Sequence, residues 1–252
     1  MNHTQTTANP LGYEKIGKLL TSYAIPSIIA LIINSLYNMV DQIFIGQGVG
    51  FLGNGATNII APIATITIAI ATLFGDGLAA FFSLSLGKGE GEKAAKGLGT
   101  SIMFGSIFGI IWTALAFAFL KPLCLIFGAT ENILPYALDY GRIIVIGFTF
   151  QIVGNTINSA IRTDGSPRYA MLSMMIGAVL NIILDPIFIF VFHWGVEGAA
   201  IATIISQLFG LLFNIAYLFR MKTIKRSGQS FTLDIRTAGR IASLGFASGA
   251  NN

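Results

Sequence analysis

Six stretches of this sequence stay apolar for longer than a bilayer is thick, and that fixes the fold class before any single residue is considered. They cover residues 19–45, 56–86, 94–120, 133–161, 169–192 and 198–219. Each exceeds the roughly 20 residues that a helix needs to cross the hydrocarbon core. Without water, only helices and closed barrels satisfy every backbone N–H and C=O. The two-residue alternation of barrel strands is absent, so the sequence predicts an all-α polytopic membrane protein built as a six-helix transmembrane bundle. Composition points the same way: only 10% of the 252 residues are charged, where a soluble domain carries about 25%. The 29 Gly suit helices that pack closely in lipid.

The basic residues orient the bundle. Thirteen of the 15 Lys and Arg fall before the first apolar stretch, in the second and fourth connections, or after the sixth stretch. Lys121 and Arg142 are the exceptions. By the positive-inside rule the amino terminus is cytoplasmic, and the expected setting is the cell (inner or plasma) membrane. Four parts follow: a cytoplasmic amino-terminal segment 1–18, a six-helix lobe 19–220, a basic cytoplasmic linker 221–240 and the start of a seventh helix, 241–252. That last stretch is about half a span and reads as a helix cut short, as in part of a longer protein. The net charge of +4 is explained by this topology, so no nucleic-acid partner is expected. Cys124 is the single cysteine, so no internal disulfide is available.

Against this apolar background the polar residues stand out. Asp185 lies deep in the fifth stretch, where a charge costs several kcal/mol unless it faces a bundle interior or a wet cavity. Asn181 is one turn earlier on the same face, and Pro186 removes a backbone donor beside it. The first stretch carries Asn34, Asn38 and Asp41 on one helical face, with Tyr37 one turn before Asp41. At ~1.5 Å per residue, Asp41 and Asp185 lie roughly 33 and 27 Å along their helices, both toward the outer side. Gln151, Asn155 and Asn158 repeat the polar stripe in the fourth stretch, and Gln207 and Asn214 extend it to the sixth. Three amide-bearing helices suggest a wet central cavity. Asp139 and Arg142 are spaced to pair with each other, and Asp76 is placed to meet the Lys-rich connection. Pro26 permits a bend in the first helix, and Gly105 with Gly109 makes a close-packing face.

Enzyme signatures are absent. Gly87-Lys88-Gly89-Glu90-Gly91 lacks the P-loop pattern, and there is no HExxH pair or Cys/His cluster. No organic cofactor is expected. A transporter built this way runs on an ion gradient.

Several motifs together carry a family resemblance. They are the ten residues from Tyr37 through Asp41 to Gly46, Leu86-Gly87-Lys88-Gly89-Glu90, Ile161-Arg162-Thr163-Asp164-Gly165-Ser166-Pro167, the stretch from Asn181 to Pro186, and Gly195-Val196-Glu197-Gly198-Ala199-Ala200. In order and spacing the chain resembles the MATE (multidrug and toxin extrusion) transporters, in particular a MepA-like bacterial branch. The resemblance implies twelve helices in two lobes around a central cavity, with this chain as the amino-terminal lobe and the carboxy-terminal lobe as its missing partner. It further implies export of small organic, mostly cationic drugs or toxins in exchange for H⁺ or Na⁺. Asp41, Asp185 and Asn181 would bind the coupling ion, Na⁺ included. Asn34, Tyr37, Asn38, Gln151, Asn155 and Asn158 would line the cavity, and Pro26 would act as a hinge. The alternatives are a lipid-linked precursor flippase of the same superfamily, or a helical scaffold or channel subunit that transports nothing itself.

Overall fold

The computed structural model describes residues 15–223 and 234–249, and helices are their only regular secondary structure. The order is α1 (Ile16–Gly48), α2 (Phe51–Gly87), α3 (Gly91–Ala118), α4 (Leu120–Ile126), α5 (Leu134–Thr163), α6 (Pro167–Pro186), one π-helical turn (Ile187–Val191), α7 (Gly195–Leu218) and α8 (Ile235–Gly249). Six of these elements, α1, α2, α3, α5, α6 with its π turn, and α7, are long and apolar enough to cross a membrane.

Three features differ from the sequence reading. The fifth apolar stretch is not one regular α-helix, because Pro186 has no N–H to continue the ladder and the chain widens into the π turn immediately after it. The seven-residue α4 was not expected, since a helix that short shows too few turns to reveal a periodic face. The seventh helix begins at Ile235, inside the stretch read as linker, because Asp234 caps it. The Asp234 carboxylate accepts from Arg236 N at 3.0 Å and Thr237 Oγ1 at 2.9 Å, and pairs with Lys96 Nζ at 2.6 Å. Lys96 and the cap together hold the Asp234 carboxyl well below the usual carboxylate range. Residues 1–14, 224–233 and 250–252, which complete the predicted amino-terminal segment, linker and last helix, lie outside the described residues.

Helix α5 is the centre of the bundle. In its most apolar stretch 56% of residues are buried, against 11% for α1. It packs on α2, α3, α6 and α7, while α1 rests mainly on α6 and α8 on α2. The predicted small-residue face on α3 meets α5 directly: a Cβ on Gly109 would lie 3.2 Å from Thr149 Cα. This arrangement turns the amide-bearing sides of α5, α6 and α7 toward one another.

The turn from α5 to α6 carries a buried acid. Gly165 takes φ 84°, a left-handed conformation that favours glycine. The preceding Asp164 has no exposed surface. It accepts from Tyr217 Oη at 2.7 Å, Lys222 N at 2.9 Å, Thr223 N at 3.0 Å and Thr223 Oγ1. One carboxylate therefore fixes where the chain leaves α7. Asp164→Ala strands these donors, and each stranded buried group costs roughly 1–3 kcal/mol. The expected loss is about 3 kcal/mol of stability, read as a lower melting temperature in detergent, with Asp164→Asn recovering part of it.

Candidate functional site

Asp41 on α1 and Asp185 at the end of α6 come together. They are 7% and 0% exposed, and their carboxyl groups are in side-chain contact. The similar depth reckoned from the sequence is the reason they can meet, because α1 and α6 lie against each other. Asn181 is 2% exposed and donates Nδ2 to Asp185 Oδ1 at 3.2 Å and to Thr203 Oγ1 on α7 at 3.4 Å. Gln42 donates Nε2 to Asp41 Oδ2 at 3.4 Å and accepts from Thr57 on α2 at 3.0 Å, which braces the α1 acid from behind. Tyr37 and Tyr140 are close enough to both acids to feel their charge. Three oxygens at this point, Asp41 Oδ1, Asn181 Oδ1 and Asp185 Oδ2, are buried without a hydrogen-bond donor from the protein. Buried oxygens left without donors suit a small hard cation or a shared proton, either of which offsets the repulsion between two carboxylates.

Asn181 also faces a cavity of about 220 Å³ that runs between α1, α5, α6 and α7. Five further residues expected there do line it: Asn34, Tyr37, Gln151, Asn155 and Asn158. Phe150, Met174 and Leu211 supply apolar wall, and no Lys, Arg or His takes part in the lining. Asn38 does not line it. Its side chain is exposed and folds back to donate to the Asn34 carbonyl at 2.7 Å, a local bond that short polar side chains make readily. The expected pairing of Asp139 with Arg142 is also absent, since the ion pairs among the described residues are Lys93–Glu90 and Lys96–Asp234. Asp76 has Arg162 as an electrostatic neighbour, a contact between α2 and α5 that helical spacing within one element does not reveal. Pro26 is buried inside a continuous α1.

Residues from α7 were undervalued by the sequence reading. Thr203, Ser206, Gln207 and Asn214 all reach the cavity. Their positions 203, 206, 207, 210 and 214, with Gly210, follow helical spacing. The signal was a small-and-polar stripe on an apolar helix.

The MatE family profile matches residues 26–187, from Pro26 in α1 to just past Asp185. The chain belongs to the MatE family. This MatE chain is 30% identical over 214 residues to the multidrug export protein MepA of Staphylococcus aureus (strain MRSA252), covering 82% of the chain and 47% of MepA. It superposes on an outward-facing structure of a multidrug resistance MATE family transporter of the MOP superfamily with a TM-score of 0.89 and 27% identity, covering 99% of this chain and 55% of that one. An inward-facing structure of a transporter so described gives 0.79 and 28% identity, covering 88% and 52%. The chain thus spans about half the length of the relatives it matches. Family and helices together make it a multi-pass membrane protein. The family match takes in both acids and the amides of α1, α5 and α6, whereas the α7 contribution to the cavity lies beyond it.

Proposed function

We propose that this chain supplies the amino-terminal lobe of a secondary transporter that exports small organic cations across the cell membrane in exchange for H⁺ or Na⁺. The observation that carries the reading is the contact of Asp41 with Asp185, with one undonated oxygen on each acid and a third on Asn181, at the edge of a cavity walled by amides and aromatic or apolar side chains. The matched relatives are named as multidrug export proteins, which supports the transporter reading over an enzyme. In this reading the coupling ion sits among Asp41, Asn181 and Asp185, with Thr203 Oγ1 as a further oxygen. Substrate occupies the cavity, and Pro26 is the bending point of α1. Linkage requires that if ion binding weakens substrate binding, substrate weakens ion binding by the same factor. The flippase alternative wants a basic cavity for an anionic headgroup, and this lining has no cationic side chain. The cytoplasmic amino terminus follows from the distribution of Lys and Arg.

The test is transport of a fluorescent organic cation into everted vesicles carrying the full-length protein, under an imposed pH gradient or an imposed Na⁺ gradient. One of the two gradients is expected to drive uptake into the vesicles at least about tenfold above the no-gradient rate. Uptake indifferent to both gradients, across a panel of cations, removes the antiport reading.

A further inference from the structure

The inner end of the cavity holds amide oxygens that no protein donor reaches. Asn158 on α5 donates its Nδ2 to Ala170 O at 3.0 Å and to Ser173 Oγ at 2.9 Å, both on α6. Asn214 on α7 donates its Nδ2 to Gly154 O at 3.1 Å, one turn from Asn158 on α5. The two amides therefore tie α5 to its neighbours through their nitrogens. Neither can turn over without placing its oxygen against a backbone carbonyl, so the orientation is chemically fixed. Both residues line the cavity, 4% and 5% exposed. Neither amide oxygen has a donor from the protein, and that of Asn214 is fully buried. Ser206 beside them also has a buried hydroxyl without a protein partner. A hydroxyl accepts as readily as it donates. Along α6 this acceptor cluster is roughly 12 Å from Asn181, counting eight residues from Ser173. It is a second polar pole, separate from the acids.

We infer that the Asn158 and Asn214 oxygens bind the N–H-bearing head of the substrate, so that the site prefers amidinium, guanidinium or primary ammonium cations over quaternary ammonium cations of equal size and charge. This deepens the antiport reading and rests on it. A quaternary head brings charge but no donor, and leaves both oxygens desolvated and unpaired. An amidinium brings donors that make charge-assisted bonds. A site that hydrogen-bonds its ligand rejects an analogue lacking the donor far more strongly than an apolar pocket rejects a change of shape. Phe150 and Tyr37 give the aromatic body of such a ligand a surface to lie on.

The experiment compares two probes, para-butylbenzamidinium and para-butylphenyl-trimethylammonium, by calorimetric titration of the full-length protein in lipid nanodiscs. Amidinium is expected to bind about tenfold tighter, the factor that one charge-assisted bond supplies. Asn214→Leu keeps the bulk and removes the oxygen. It is expected to bring the two affinities within about twofold by weakening amidinium binding, while trimethylammonium binds at least as tightly as before, which shows that the cavity is folded. Should Asn214→Leu not give a monodisperse protein, Asn158→Leu must show the same loss of preference. Equal affinities in the unaltered protein overturn the inference and leave the antiport reading standing. A substitution that weakens both probes alike in a folded protein overturns the assignment to these oxygens. If neither probe binds, the organic-cation reading itself falls, and the inference with it.

Discussion

Asp185→Asn is expected to abolish ion-coupled export while leaving the protein folded. The replacement has nearly the same shape, so packing at the end of α6 is preserved. What disappears is the charge that, in the proposed antiport, works with Asp41 to draw the coupling ion. Ion coupling in binding is typically worth 5- to 150-fold, and removal of the central acid places the loss at the upper end, on the order of 100-fold in gradient-driven rate. Stability is expected to hold or rise, because one of two contacting buried carboxylates is replaced by a neutral amide. That pairing of outcomes separates a coupling role from a structural one. The measurement is efflux under the driving gradient beside the melting temperature of the same preparation. Unchanged efflux with unchanged ion dependence rules out Asp185 as the coupling acid. A large fall in melting temperature would mean that the charge is structural instead.

Much of this architecture was legible because a bilayer leaves a helix few alternatives. The six spans follow from apolar length alone, and their ends shift by only a few residues at most boundaries. The acids were legible because a carboxylate in an apolar run demands an explanation, and the depth count brought α1 and α6 to one level. The misses share a physical cause. Asn38 has the right helical angle, yet a short side chain can satisfy itself on its own helix. Asp139 and Arg142 have the right spacing, but an i,i+3 pair is worth only a few tenths of a kcal/mol and does not hold long side chains together. Asp164 was read only as a letter in a turn motif. Its role depends on Tyr217, Lys222 and Thr223, more than 50 residues away, which no local pattern encodes. The same holds for Asn214, whose meaning comes from the α5 carbonyl that its nitrogen finds.

Gly77→Leu is expected to unseat α8 and to stop export without touching the ion site. α2 and α8 cross at a pair of glycines near the inner end of α2. A Cβ on Gly77 would lie well inside van der Waals contact with the Ile241 carbonyl oxygen and 3.0 Å from Gly245 N. A Cβ on Gly245 would meet the Leu73 carbonyl oxygen just as closely. The obstacles are backbone atoms, which cannot rotate aside, so any side chain at either position forces the helices apart. Overpacking of this kind costs about 1–3 kcal/mol even where neighbours can adjust, and here the upper figure applies. The Lys96–Asp234 pair ties the start of α8 to α3 instead, and a partly exposed ion pair contributes too little to hold α8 in place. Forcing α8 off α2 is expected to lower gradient-driven efflux by the full-length protein about tenfold or more, as it should where transport requires these helices to stay packed. Substrate binding, measured in detergent, is expected to persist. Gly77→Ala should give a smaller loss in the same direction. Normal efflux in Gly77→Leu would show that the close α2–α8 packing is not needed for transport.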